Sequence, residues 1–301
     1  MKNEIFLFKG MNIIEFHDKF NSDDACKEYL SYFKWKDGFS CSKCHHTHYW
    51  LGIKPYTRVC KNCRHVESPT SNTLFHKVKF GLRKAFSIVF IMSTSSKGSS
   101  SLNMSKQLSI NKDTAWLFMK KVRIAMESSY QYPMNGNIEV DDIYVGGKEA
   151  GKRGRGSENK KQLVVAIEKQ GEWGIRRAYA IKIKNSSAEE LARIFEKHID
   201  KSAKIRTDKW SGFKPLEKTY QITKEKSKPG KNFQLMNRFV QGVQSWFRGI
   251  YHHVSDRHIQ SYVNEYCFRF NRQNTKETIF NNLLKRMVSK PQITYTEIIQ
   301  T

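Results

Sequence analysis

An α/β layer preceded by a small cysteine-rich module and a helical segment is the fold class this sequence predicts. Three observations point to it. Two C-x2-C pairs, Cys41/Cys44 and Cys60/Cys63, lie fifteen residues apart. An apolar-rich stretch from Phe80 to Met126 keeps helical spacing between two breaks. From Ile138 onward, β-branched runs and amphipathic stretches follow in the order strand, strand, strand, helix, strand, helix. The chain has 301 residues, which at about 100–200 residues per domain suits two domains and a small third. The expected boundaries are 20–75 for the cysteine module, 76–132 for the helices, 133–275 for the α/β layer and 276–301 for a basic C-terminal tail.

The cysteine spacing reads as a zinc ribbon. Each pair sits on a tight turn that aims two thiolates at one point, and four soft thiolates suit tetrahedral Zn2+. The intervening Tyr49–Val59 segment, with Gly52 and Pro55, suits a short hairpin. His45, His46, His48 and His65 crowd the site, but Cys41, Cys44, Cys60 and Cys63 already fill the shell. The imidazoles are therefore read as facing solvent or DNA. A closed shell leaves no position for water, so the zinc is structural. Cys26 and Cys267 stand alone and read as buried thiols.

Three helices are expected next: Leu82–Thr94, Leu102–Leu108 and Asp113–Met126. Lys97-Gly98 breaks the first, and Ser109-Ile110-Asn111 turns the second into the third. Two helices about a tight turn suggest helix-turn-helix, with Lys112, Lys120, Lys121 and Arg123 as phosphate contacts.

After the turn signals Tyr132-Pro133 and Asn135-Gly136, strands are expected at Ile138–Val145, Gln162–Lys169, Arg177–Lys184, Ala203–Asp208 and Gln221–Thr223. Helices are expected at Ser187–Ile199 and through Leu235–Phe247. This order matches an RNase H-like layer. Acidic residues at the centre of one strand and the end of another meet at one sheet edge, where oxygen ligands hold Mg2+ or Mn2+ for phosphodiester chemistry. Asp141 and Asp208 are the first two ligands. Adjacent Asp141 and Asp142 face opposite sides of a strand, and the pattern leaves open which of them ligates.

Charge bounds the partners. Lys plus Arg number 53 against 28 Asp plus Glu, a net charge of +25. Such a field has no use in an ordinary metabolic enzyme and suits a polyanion. The Gly-rich basic segment Lys148–Lys161 and the segment Lys224–Lys231 read as solvated loops or as DNA-contacting loops beside the carboxylates. Hydrophobic residues make up 39% and aromatics 13%, too many for a disordered chain. No run of about twenty apolar residues exists, so no membrane span is expected. Glu4, Lys9, Glu15 and Asp18 occupy the N-terminus where a signal peptide needs an apolar stretch, which favours a cytoplasmic protein.

Several motifs then occur in order: Cys41–Cys63, Ser71-Asn-Thr-Leu-Phe75, Thr114-Ala115-Trp116 with Val122-Arg123, Ile138–Lys148, Thr207–Phe213, and Gly249–His258 with Tyr262–Arg272. Together they resemble bacterial insertion-sequence transposases with an N-terminal zinc ribbon and an ISXO-type DDE domain, related to the eukaryotic Merlin elements. The resemblance covers about residues 20–275. It implies a transposase that hydrolyses a phosphodiester at its element's ends and joins the freed 3′-hydroxyl to target DNA with Mg2+ or Mn2+. Its partners are double-stranded DNA and further copies of the chain, on the bacterial nucleoid. Asp141 matches the first catalytic aspartate with Asp142 in the neighbouring acidic slot, Asp208 matches the second, and Asn237 falls at the third position. A basic residue is expected seven positions after Asn237, where this chain has Gln244. That departure leaves an alternative: an inactive descendant acting only as a zinc-dependent DNA-binding protein.

Overall fold

The computed structural model describes residues 7–146, 160–228, 230–251 and 254–300. The chain divides into two compact units. One is built from Met1–Met126 with Asn274–Thr301, and the other is the intervening Glu127–Gln273.

The first unit opens with helices α1 (Ile13–Lys19) and α2 (Asp23–Trp35), each started by a side-chain cap, from Asn12 and Ser22. A three-stranded antiparallel sheet follows: β1 (Tyr49–Leu51), β2 (Arg58–Cys60) and β3 (Val66–Glu67). Then come α3 (Leu82–Thr94), α4 (Ser101–Leu108) and α5 (Lys112–Met126). Ser100 caps α4, left-handed Ser109 ends it, and the Asn111 side chain accepts from the N–H groups of Asp113 and Thr114 to start α5. The turn chemistry read from the sequence is therefore what joins these two helices.

The second unit is a five-stranded mixed sheet: β4 (Asn137–Val145), β5 (Lys161–Gln170), β6 (Gly174–Ile183), then α6 (Ala188–His198), β7 (Lys204–Thr207) and β8 (Gln221–Lys224). The order across the sheet is β6-β5-β4-β7-β8, with β4, β7 and β8 parallel and β5 antiparallel to both neighbours. Helices α7 (Gln234–Ile250) and α8 (Ile259–Phe270) complete it.

Alternation along β4 divides the two cores. Ile143 and Val145 join Leu163, Val165 and the apolar stripe of α7 on one face. Ile138 and Val140 join Val164, Ala166 and α6 on the other. Edge strand β6 is closed by side-chain amides. Asn271 accepts from the Ala178 N–H and donates to its carbonyl, while Gln260 accepts from Lys182 N–H and donates to the Ala180 carbonyl. A row of open backbone groups on an edge strand is a template for aggregation, and this row is filled.

The chain returns to the first unit through α9 (Lys276–Ser289) and α10 (Tyr295–Gln300). The tail expected at 276–301 is thus helical, and Phe280, Leu283, Leu284 and Met287 are fully buried. Phe280 packs against Phe8, Phe16, Phe20, Phe86 and Phe90. Asn281 donates to the Phe8 carbonyl and accepts from the Tyr29 hydroxyl, tying α9 to α2 and the N-terminal segment. The lone thiols Cys26 and Cys267 are buried, and burial pushes each up to about 12.

Candidate metal centre and carboxylate site

The ribbon carries two matching knuckles. In each, the residue after the C-x2-C pair is left-handed (His45 and Arg64), and its N–H bonds back to the first cysteine's carbonyl at 2.9 and 3.1 Å. The first cysteine's N–H reaches the carbonyl five residues on, Cys41 to His46 and Cys60 to His65. This repetition brings the four Sγ atoms within 4.8 Å of one another, with Cys41–Cys63 at 3.6 Å and Cys44–Cys60 at 3.5 Å. Four sulfurs at about 2.3 Å from one Zn2+ stand about 3.8 Å apart, so the donor set fits structural zinc. The His46 N–H pulls Cys44 down to about 6. The His65 N–H also favours the Cys63 thiolate, but desolvation and the neighbouring sulfurs push that group up to about 12. Among the described residues no histidine belongs to the cluster; His45 and His48 are exposed.

The ribbon is anchored through charge. The Arg58 guanidinium lies over the rings of Trp35 and Tyr49, at 4.3 and 4.1 Å. Buried Glu67 pairs with Lys34 at 3.1 Å and accepts from the Ser42 N–H at 2.6 Å. Burial opposes the Glu67 charge, but these partners hold the carboxyl below the usual carboxylate range.

On α5, two expected phosphate contacts face inward. Lys120 and Arg123 are buried among Ala115, Met119 and Val122, and burial, with Arg123 beside it, pulls Lys120 down to about 8. Helical spacing places 120 and 123 on the apolar stripe, so only Lys112 is fully exposed and Lys121 half-exposed.

In the second unit, register fixes the carboxylates. Val140 pairs with Thr207, so Asp141 and Asp208 are the next residues along two adjacent parallel strands. Alternation puts Asp141 on the α7 face with Ile143, and Asp208, which follows Thr207, continues that same face. Both are half-buried. An Asp208 oxygen accepts from the Trp210 N–H at 3.1 Å, and an Asp141 oxygen accepts from the Asp142 N–H at 2.9 Å. Asp142 lies on the opposite, α6 face, where it accepts from the Gln162 amide at 2.8 Å. The two neighbours that the sequence left undivided are separated by the sheet.

Helix α7 runs alongside β4. The Arg206 guanidinium lies 4.6 Å from the Phe233 ring, and Arg206 is in register with Glu139. Eleven residues later the Gln244 amide donates to the Tyr144 carbonyl at 3.2 Å, five residues after Glu139. Helix and strand both rise about 16 Å between these anchors. Asn237 lies in the first turn of α7 and is exposed. Gln244 is a brace between helix and strand. Oxygen donors of this kind suit a hard divalent cation. Among the described residues, the ribbon's four cysteines are the one converging group of three or more His, Cys, Asp or Glu side chains, and no such group forms at the carboxylates.

Two residues escaped the sequence reading. Glu139, also on the α7 face, is buried, paired with Arg206, and 3.8 Å from Lys169. Arg206 reaches on to Glu225 at 3.2 Å. The signal was an acid two residues before Asp141 in an apolar strand and a cation two before Asp208. The basic segment Lys148–Lys161 lies outside the described residues, apart from Lys160 and Lys161.

Comparison with known proteins matches residues 133–271 to the ISXO2-like transposase domain and residues 21–66 to the transposase zinc-ribbon domain. No curated protein matches the chain. Among solved structures, it is similar to the crystal structure of a pre-cleavage Mos1 transpososome, at 8% identity and a TM-score of 0.28, over 69% of this chain and 79% of that one. It is also similar to that of the Mos1 strand transfer complex, at 8% identity and a TM-score of 0.26, over 67% and 78%. The chain thus carries a transposase zinc-ribbon domain followed, in that order along the sequence, by an ISXO2-like transposase domain.

Proposed function

We propose that the protein cuts the ends of its own insertion sequence and joins the freed 3′-hydroxyl to target DNA. The observation that carries this reading is the juxtaposition of Asp141 and Asp208 on one sheet face, to which Asn237 on the first turn of α7 is added as the third ligand. These three residues would hold the divalent cations. When bound, Mg2+ or Mn2+ activates the attacking water or 3′-hydroxyl and stabilises the leaving oxygen. The chain's own task is to fix the carboxylates. Trp210 N–H orients Asp208, and the Glu139–Arg206 pair locks β4 to β7 one step below the site. Two carboxylates and a neutral amide carry less charge than three carboxylates, so a second cation would be held more weakly here than at a site of three carboxylates. Asp142 is held to Gln162 on the other face and takes no ligand role.

In this reading the zinc ribbon, with Zn2+ on Cys41, Cys44, Cys60 and Cys63, and the α4–α5 helix-turn-helix bind the element's ends. Two ends must be joined, which calls for more than one copy of the chain on DNA. The test is cleavage of a labelled duplex carrying the element's end in Mg2+ or Mn2+. Wild type should cut, and Asp208→Asn should bind equally well without cutting. A second reading, a DNA-binding descendant without activity, draws on Asn237 and on the use of Gln244 as a brace. Tight binding by wild type without cutting in either metal would establish it instead.

A further inference from the structure

From its zinc ribbon we infer that the protein inserts an apolar wedge into the minor groove of duplex DNA, with Ile53 at the hairpin tip as the wedge and Trp50 as its anchor. This rests on the reading of DNA as partner but not on cleavage. Ile53 is fully exposed (106%) and Leu51 nearly so (82%), at the turn between β1 and β2. Strand register adds a row across the sheet: Trp50 opposite Val59, and Val59 opposite Val66, with Trp50 and Val66 exposed. Trp50 and Val66 lie on one face of the hairpin and Leu51 on the other, with Ile53 at the turn between the strands, and exposed apolar side chains around so small a module mark a contact surface.

The surroundings name the occupant. From Gly38 to Val66 the chain has Lys43, Lys54, Arg58, Lys61 and Arg64 and not one Asp or Glu. Arg64 and Lys61 lie over the Trp50 ring at 4.4 and 5.6 Å, so cations are held beside the apolar row. An apolar protein surface gains nothing from a purely cationic rim, whereas a phosphate backbone on each side of a groove does. Apolar side chains that enter the minor groove between base steps, flanked by Arg or Lys, unstack the step and bend the duplex. The tip is also rigid enough to push: Gly52 N–H bonds to the Thr57 carbonyl at 3.0 Å, and buried Thr57 bonds through its hydroxyl to the Lys54 carbonyl at 2.6 Å.

The test uses the full-length zinc-loaded protein and two duplexes, the element's end and an unrelated sequence. Each carries 2-aminopurine at successive steps and a dye at each end. Wild type should raise 2-aminopurine fluorescence at one step and shorten the end-to-end distance. Ile53→Ser should lose both signals and about tenfold in affinity, with zinc content and melting temperature unchanged because the side chain touches nothing buried. Ile53→Lys separates wedge from charge: it should also lose the unstacking signal. Equal or tighter binding by Ile53→Lys with bending intact would overturn the wedge, as would tight binding by wild type with neither unstacking nor bending. Failure of wild type to bind either duplex would instead remove the DNA partner itself.

Discussion

Glu139 buries a carboxylate with only 2% of the residue exposed, and one of its oxygens has no hydrogen-bond partner among the described residues. Its charge is tolerable because Arg206 sits directly across the β4–β7 register. Removing the cation strands the acid, so Arg206→Ala should cost about 3 kcal/mol in urea unfolding, while Arg206→Lys should recover part of it. An unchanged midpoint would show that Lys169 alone suffices. His198 is a second buried titratable group. It stacks on Tyr179 at 4.0 Å, and burial, then Lys197 and Arg177, pull it down to about 3. The unfolded chain binds this proton near pH 6.5 and the folded chain does not, so stability falls as pH drops from about 6.5 toward 3. Between pH 7 and 5 the loss should be about 2 kcal/mol, and His198→Phe should flatten that slope. At this scale the sequence made Asp141 and Asp208 legible, because acids in apolar strands are conspicuous. It left Asp141 and Asp142 undivided, because the face of a strand is set by its neighbours' register. The roles of Glu139, Gln162 and Gln244 were hidden for the same reason: each acts on a partner at least 20 residues away.

Elements were legible where period and turn chemistry agreed. Helix α3 and the bounds of β4 and α6 follow closely from apolar spacing. The inward turn of Lys120 and Arg123 did not, because a basic residue on a helix was read by its charge and not by its position on the stripe. The closing of β6 by α8 was equally invisible, since Asn271 looks like any polar residue at a helix end. Asn271→Ala leaves the buried Ala178 N–H and carbonyl without that amide and should cost about 2 kcal/mol, with more aggregation on heating. A variant as stable and soluble as wild type would mean that the edge needs no such cover. In the ribbon, Cys60→Ser should reduce bound zinc well below one equivalent and loosen β1–β3, read by metal analysis and by hydrogen exchange at Tyr49–Glu67. A full equivalent retained would contradict the four-sulfur site.

At the scale of the molecule, the α/β unit is an insertion in the first unit's chain. The basic segment after 275 was expected as a tail because its lysines were counted. Its repeat of Ile279, Phe280, Leu283, Leu284, Met287 and Val288 is an amphipathic helix, and its partners lie more than 150 residues earlier. A chain ending at Gln273 should therefore lose the cooperative unfolding of the first unit, measured by the near-UV signal of its aromatic cluster. A truncation that retains this transition would show that α9 only decorates the core. Charge acts at this scale too: a net +25 should make duplex binding fall steeply with salt.

The central claim is that one sheet face, carrying Asp141 and Asp208, performs the cutting. Its most direct measurement is metal-dependent cleavage of the element's end by Asp141→Asn and Asp142→Asn side by side, each with zinc content and duplex affinity checked. Asp141→Asn should lose about a thousandfold or more in rate, while Asp142→Asn should stay within about tenfold of wild type. Equal loss in both variants, or the greater loss in Asp142→Asn, would contradict it.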